Sequence, residues 1–492
     1  MLIERQSPHT RVAVTSRRRL ISGLLAATLA PVLREPWPSS AQTPIATPST
    51  TIPNTLAPDA SPHFRAVAER LMEAMTATGT PGAALGILAE GREEHAAFGV
   101  ESIDTQTPVT LDTLFQTGSV TKTVTGTAIM RLVELGTLDL DATVRTYLPE
   151  FRLESEDVAA QVTLRHLLTH SGGWWGDFFT DTGSDDDAIE QYVARWFPRL
   201  PQLFPLGEFV SYNNSGFTLL GRLIEVATGQ TYRDAAREMV LGPLGLDGSF
   251  YAPDEVEAHP HALGHITEKN VPRIQEPLFL PRSTDPAGGL WSTTPDLLRY
   301  ARFHLGDGTV RGARILSRAS LDEMQTAQQA IPLQPTLAMG LPWFLVELPG
   351  HRFVTHEGGT FGQTAQLWLE PESGFALALL LNGLPSGALA TQETLVEVFV
   401  QYFDFGPDAT QMATPAASPP PAAEQPADLE QYAGRYEVPD ATYVLRVEDD
   451  TLVISFDLHP LPEQIQLTVI PDLPAQVPLE FIAEDLALMT IE

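Results

Sequence analysis

Thr117-Gly118-Ser119-Val120-Thr121-Lys122 opens a run of helical periodicity that continues to about Glu134, with Gly136 where a helix C′ glycine belongs. Ser119 and Lys122 stand three apart, so a helix sets them on one face about one turn apart. Composition sharpens the pair. Of the 30 Lys+Arg residues, two are lysine, Lys122 and Lys269. A chain that uses arginine almost everywhere else has an ammonium one turn from a serine. Guanidinium stays protonated, whereas a buried ammonium can lose its proton and serve as a base. The pairing predicts a serine hydroxyl activated by its lysine neighbour.

Working outward, a helix is expected over residues 66–78, with Val67, Leu71 and Met72 on one face. Two strands follow, 82–88 and 94–100, joined at Glu90-Gly91. Residues 119–330 read as mainly helical. Thr163 to Leu168 is a short helix stopped by Ser171-Gly172-Gly173, and Ser215 to Thr228 an amphipathic one closed by Gly229. Thr294-Pro295-Asp296 reads as another helix start, with Thr294 as the N-cap. At Leu348-Pro349-Gly350 the pattern changes to three strand-like runs, 352–355, 364–369 and 375–381, then a helix over about 391–402. Strands at both ends of a helical middle predict an α+β fold: an α/β sandwich whose sheet is built from both ends of the catalytic domain, plus an all-helical subdomain. A cleft between the two is the natural place for a site.

The formal charge of −32 argues against a nucleic-acid partner, and the absence of cysteine excludes disulfides and thiolate chemistry. Arg17-Arg18-Arg19 precede the apolar run Leu20 to Ala30, which is short for a membrane span. Residues 1–41 are therefore expected to be an export signal of twin-arginine type, cleaved after Ala41, with an uncleaved anchor as the alternative. Residues 42–62 and 406–428 are expected to be Pro-rich linkers. Between them, residues 63–405 are expected to form one folded domain. Residues 429–492 alternate apolar and polar positions and predict a small antiparallel β domain.

Two further patterns follow Ser119-x-x-Lys122 in order: Tyr212-Asn213-Asn214 and His356-Glu357-Gly358-Gly359. With these three motifs, and with Leu167 to Gly173 and Pro286 to Ser292, residues 63–403 resemble the serine β-lactamase and penicillin-binding protein family, particularly its class C branch. That branch also contains D,D-carboxypeptidases, D-aminopeptidases and esterases. Tyr432-Ala433-Gly434-Arg435-Tyr436 looks like a lipocalin-like module appended to some of these hydrolases.

The residue types suit acyl transfer. Ser119 is the expected nucleophile, and Lys122 can take its proton if burial lowers its pKa. The resemblance implies that Tyr212 relays or holds a proton with Lys122; which of the two is the formal base stays open. Asn214 supplies an amide for the substrate carbonyl and for Lys122. The backbone N–H groups of Ser119 and Gly359 are the expected oxyanion donors. His356 and Gly358 are expected to form the strand edge on which substrate lies. His356 also departs from the family, since many β-lactamases carry Lys-Thr-Gly here. A histidine is cationic only below about pH 6.5, which points away from efficient β-lactam hydrolysis and toward peptidase or esterase chemistry.

No metal or cofactor is expected, since His259, His261 and His265 lack supporting carboxylate spacing. The expected activity is an exported serine hydrolase of the β-lactamase, D-alanyl-D-alanine carboxypeptidase or esterase group, working through an acyl-enzyme. Its partner is a small-molecule or peptide substrate, with cell-wall peptidoglycan a further candidate. The alternatives are a catalytically silent penicillin- or peptidoglycan-binding protein and a wall-associated interaction protein.

Overall fold

The computed structural model describes residues 53–406, apart from 178, 269, 332 and 333, together with 429, 433–438, 441–448, 451–458, 477–483 and 486–489. The expected export segment, most of the first linker and nearly all of the second lie outside the described residues, as does Lys269. The described residues fall into two compact units, the larger within Pro48–Ala416 and the smaller holding the C-terminal strands.

The larger unit begins with α1 (Pro62–Thr78), capped by Ser61 Oγ, which accepts from Phe64 N at 3.2 Å. Then come β1 (Gly82–Ala89) and β2 (Arg92–Gly99). The helical middle contains α2 (Thr121–Glu134), α3 (Asn214–Thr228) and α4 (Thr294–Leu305). The chain returns to the sheet through β3 (Gln329–Ala330), β4 (Leu337–Met339), β5 (Phe344–Leu348), β6 (His351–Gly359), β7 (Thr364–Glu370) and β8 (Phe375–Leu381). It closes with α5 (Ser386–Phe403).

These eight strands form one antiparallel sheet in the order β2-β1-β8-β7-β6-β5-β4-β3. The two ends of the unit meet inside the sheet, where β1, the second strand, pairs with β8, the third, from Ala83↔Leu381 to Leu88↔Ala376. All of β8 is buried, so a layer covers each face. Period-2 alternation assigns the faces. Leu377, Leu379 and Leu381 pack with Phe64, Leu71 and Met75 of α1 and with Leu395 and Phe399 of α5. Ala376, Ala378 and Leu380 join Leu297, Leu298 and Ala301 of α4 in the larger core, which continues into α2 and α3. Each fully buried leucine contributes roughly 1.5–3 kcal/mol.

The fold is the sandwich plus mainly helical middle that the pattern predicts, although that middle is not all-helical: it holds short strand pairs such as His265–Glu268 with Val271–Ile274, and two further local differences follow. The sheet extends by β3, β4 and β5 ahead of the Leu348–Gly350 turn. The α4 cap lies one residue earlier than expected: Thr293 Oγ1 accepts from Asp296 N, leaving Thr294 and Pro295 in the first turn. The smaller unit carries β9 (Gly434–Val438), β10 (Ala441–Glu448), β11 (Thr451–Leu458), β12 (Val477–Ala483) and β13 (Leu486–Met489), a meander in which each strand pairs antiparallel with the next.

Candidate active site

Ser119 sits in a single 3₁₀ turn, Gly118–Val120, that runs directly into α2. The turn is tied down from behind: Thr117 N and Oγ1 donate to Leu290 O at 2.8 and 2.9 Å. In front, the end of β6 presses on it, backbone against backbone. Gly118 has φ +52°, and a Cβ there would stand 2.9 Å from both N and O of Gly359. A Cβ on Gly358 would collide with Thr117 O and lie 2.8 Å from Ser119 N. Glycine at both positions lets the strand end and the serine turn share this space.

Ser119 is half-buried, whereas Lys122, one turn on, has 0% exposure. Its Nζ lies 2.9 Å from Ser119 Oγ, 2.6 Å from Asn214 Oδ1 and 2.7 Å from Ala287 O. Burial pulls the Lys122 pKa down to about 7, against the opposing field of Asp177. The partner set fits the neutral amine. Asn214 Oδ1 and Ala287 O can only accept, so they take the two remaining N–H bonds. The lone pair then faces Ser119 Oγ, whose hydroxyl can donate to it.

Tyr212 and Asn214 come from the start of α3. Asn213 caps the helix, its Oδ1 accepting from Gly216 N at 2.7 Å, and Asn214 is the first helical residue. Asn214 uses both ends of its amide: Oδ1 takes Lys122, and Nδ2 donates to Asp177 Oδ1 at 2.7 Å. The Tyr212 ring centroid lies 4.9 Å from Lys122 Nζ. Its hydroxyl is hydrogen-bonded to Ser119, and burial pushes the phenol pKa up, with the negative charges of Glu357 and Asp177 adding to that rise. Tyr212 as a whole is half-buried.

His170 holds Tyr212 in place. The two rings stack with centroids 4.3 Å apart and planes 23° apart, and Phe344 lies nearly parallel to Tyr212 at 6.4 Å. His170 O accepts from Ser211 N at 2.8 Å and His170 Nδ1 from Asn213 N at 3.0 Å, so one residue brackets Tyr212 on both sides. His170 does this from the left-handed region, at φ +54°.

On the sheet side, β5 pairs with β6 only as far as Phe344↔Thr355, while β7 pairs with it to Gly359↔Thr364. Residues 356–359 are therefore bordered by a strand on one side alone. Glu357 and Gly359 are exposed, and nothing lies within 4 Å of where a Gly359 Cβ would be. His356 points elsewhere. It is 1% exposed, its Nδ1 contacts Glu357 O at 2.8 Å, and its Nε2 has no hydrogen-bond partner among the described residues. Burial, with the Lys122 charge nearby, pulls its pKa down to about 3. The strand edge exposes Glu357 and Gly359, while the His356 ring is a neutral interior group.

The structure thus brings Ser119, Lys122, Tyr212 and Asn214 into direct contact and sets Gly358 and Gly359 against the serine turn. Three contributors escaped the sequence reading. Ala287 acts through its carbonyl, which no side-chain pattern reports. His170 lies inside Leu167 to Gly173, a segment that marks a helix stop and carries part of the resemblance but gives His170 no role of its own. Asp177 follows Trp174-Trp175-Gly176 with no motif around it, although an acidic residue beside two tryptophans is a visible signal. Trp174 itself is 1% exposed and donates from Nε1 to Ser215 Oγ at 2.9 Å, bracing α3.

A family model described as Beta-lactamase matches residues 64–400. The chain is 35% identical over 377 residues to penicillin-binding protein 4 of Amycolatopsis lactamdurans, a match covering 75% of this chain and 96% of that one. Among solved structures, SurE superposes with a TM-score of 0.67 at 25% identity, covering 87% of this chain and 99% of its own. A class C β-lactamase from Rhodobacter sphaeroides shares the fold, with a TM-score of 0.56 at 23% identity over 68% of this chain and 99% of that one.

Proposed function

The chain belongs to the serine β-lactamase and penicillin-binding protein family, and from that premise we propose that it is an exported serine hydrolase acting through an acyl-enzyme on an amide or ester carbonyl. One observation carries the reading: a fully buried lysine whose Nζ touches Ser119 Oγ at 2.9 Å while its other two partners can only accept.

Ser119 Oγ attacks the carbonyl carbon as its proton passes to neutral Lys122. Backbone N–H groups of Ser119 and Gly359 receive the oxyanion, each such donor worth about 2.7–4 kcal/mol of barrier. The tetrahedral intermediate collapses, the C–N or C–O bond breaks, and the leaving group takes a proton through Tyr212. Tyr212 suits that task because its raised pKa keeps the phenol protonated, which leaves the base role to Lys122. Water then attacks the acyl-serine by the same proton route, releasing the acid and restoring the Ser119 hydroxyl. Export is assigned to residues 1–41, and peptidoglycan-derived peptides are among the candidate substrates.

Incubation with a fluorescent penicillin, a chromogenic cephalosporin and short p-nitrophenyl esters, followed by peptide mass spectrometry, tests the reading. An adduct on Ser119 is expected with at least one of them. Neither turnover nor adduct with any would end the acyl-enzyme proposal. Lys122→Arg keeps the charge but removes the base, so it is expected to abolish acylation.

A further inference from the structure

The turn Asp285–Gly288 and the two residues after it meet α2 through hydroxyl groups as well as through Lys122. Thr121 Oγ1 accepts from Leu290 N at 3.1 Å, and Thr117 donates twice to Leu290 O. At the other end of the stretch, Thr125 Oγ1 lies 2.7 Å from Pro286 O. Lys122 reaches Ala287 O at 2.7 Å between these ties. Thr117 and Thr121 flank the nucleophile, whereas Thr125 lies one turn beyond Lys122 along α2.

The contacts of Thr125 fix which way each hydrogen points. Its Oγ1 also lies 2.8 Å from Tyr232 Oη, and Tyr232 Oη lies 3.0 Å from Tyr251 Oη. All three side chains are buried, and burial pushes both phenol pKa values up, so each phenol keeps its hydrogen. Pro286 O can only accept, so it takes the one hydroxyl hydrogen of Thr125. Thr121 O, at 3.4 Å, is too distant to compete for it. Tyr232 must then donate to Thr125, and Tyr251 to Tyr232. The chain runs one way, from Tyr251 through Tyr232 and Thr125 to Pro286 O, and each bond polarises the next. It ends one peptide unit before the carbonyl that accepts from Lys122.

We propose that Thr125 is a positioning residue for acylation, with Tyr232 and Tyr251 acting through it. By holding Pro286 O, the chain sets the plane of the Pro286–Ala287 peptide and so the place of Ala287 O. Ala287 O takes one N–H of neutral Lys122, Asn214 Oδ1 takes the other, and the lone pair is left facing Ser119 Oγ. Without the chain the amine can still accept a proton but loses its aim. The inference rests on the serine-hydrolase reading and adds to it the groups that orient the base.

The test uses the purified full-length chain, p-nitrophenyl acetate and the burst of p-nitrophenol that accompanies Ser119 acylation, with peptide mass spectrometry to locate the adduct. Thr125→Val keeps the shape of the side chain and removes the hydroxyl. Its acylation rate constant is expected to fall by about 10- to 100-fold, the cost of a misplaced reacting group, while the ester concentration that half-saturates the burst stays at the parent value. Thr125→Ser restores the hydroxyl and is expected to restore most of the rate. Tyr232→Phe is expected to slow acylation in the parent but to add nothing in a Thr125→Val background, because the two act in one chain. A Thr125→Val enzyme that acylates at the parent rate would overturn the proposal. So would a Thr125→Ser enzyme as slow as Thr125→Val, which marks a packing role, or a Tyr232→Phe loss of the same size in both backgrounds. If Thr125→Val does not fold, Tyr232→Phe decides, an unchanged rate counting against the chain. Acylation of the parent with every variant unaffected removes this inference alone; absence of any Ser119 adduct on the parent removes the serine-hydrolase reading with it.

Discussion

Lys122 carries two pH effects that share one cause. Its folded pKa, lowered to about 7, predicts that kcat/KM on a p-nitrophenyl ester falls as pH drops through 7, because the base is then protonated. A profile flat across pH 7 would reject Lys122 as the base. Between about 7 and 10.5 the unfolded lysine holds a proton that the folded one has lost, so stability rises with pH across that window. Below 7 the folded protein buries a charged ammonium. Lys122→Met is therefore expected to be inactive yet more stable than the parent below pH 7, by roughly 1–4 kcal/mol if buried charges generally guide; thermal unfolding on either side of pH 7 checks it. His170→Asn tolerates the left-handed backbone but removes the ring behind Tyr212. A kcat lower by up to about 10²-fold is expected, the cost of a misplaced reacting group, with unchanged far-UV circular dichroism. Ser119, Lys122 and Tyr212 were legible in the sequence because lysine is scarce and the motifs fall in order. His170 and Asp177 were not, since the first acts by stacking its ring on Tyr212 and the second through a contact with Asn214, both made only when distant segments fold together.

Elements reach the site through close approaches. Gly221 of α3 faces Pro286, and a Cβ there would collide with the proline ring. Pro286 precedes Ala287, whose carbonyl holds Lys122, and Asp285 at the head of the same turn pairs with Arg233 Nε at 2.6 Å. Gly221→Ala is expected to lower Tm and slow acylation together by pushing this turn off α3; kinetics and calorimetry on one preparation would test the link. Burial raises the Asp285 pKa to about 6 even with Arg233 beside it. A carboxyl with a raised folded pKa loses stability as pH climbs from its unfolded value toward 6. Arg233→Met leaves that carboxylate without its partner and is expected to cost about 3–5 kcal/mol, more above pH 6 than below it. Strands β7 and β8 were readable because the first alternates and the second is uniformly apolar. β3 and β4 hold two and three residues, too few for a period to show. The α4 start was ambiguous between adjacent threonines with the same capping chemistry, and tertiary packing selected Thr293.

At the scale of the whole molecule, the sheet makes both ends of the hydrolase unit indispensable. A chain stopped after α5 is expected to fold and to acylate Ser119, because the meander lies in a separate compact unit. A chain stopped before β8 is expected to do neither, since β1 and β7 would lose the strand between them; unfolding curves and adduct mass of the two truncations distinguish the cases. That one sheet draws on both ends of the larger unit was readable from strands flanking a helical middle, although the pairing of β1 with β8 was not, because pairing between distant segments leaves no local pattern. The pairing of β1 with β8 also sets a timetable for synthesis. The buried run of β1 leaves the ribosome with β2 on one side and must wait from Ala89 until Phe375 for its other neighbour. During that interval the nascent chain carries an unpaired apolar edge, the feature most prone to wrong pairing. The price of building the site between two distant ends is a long period in which the half-made protein depends on protection from its neighbours.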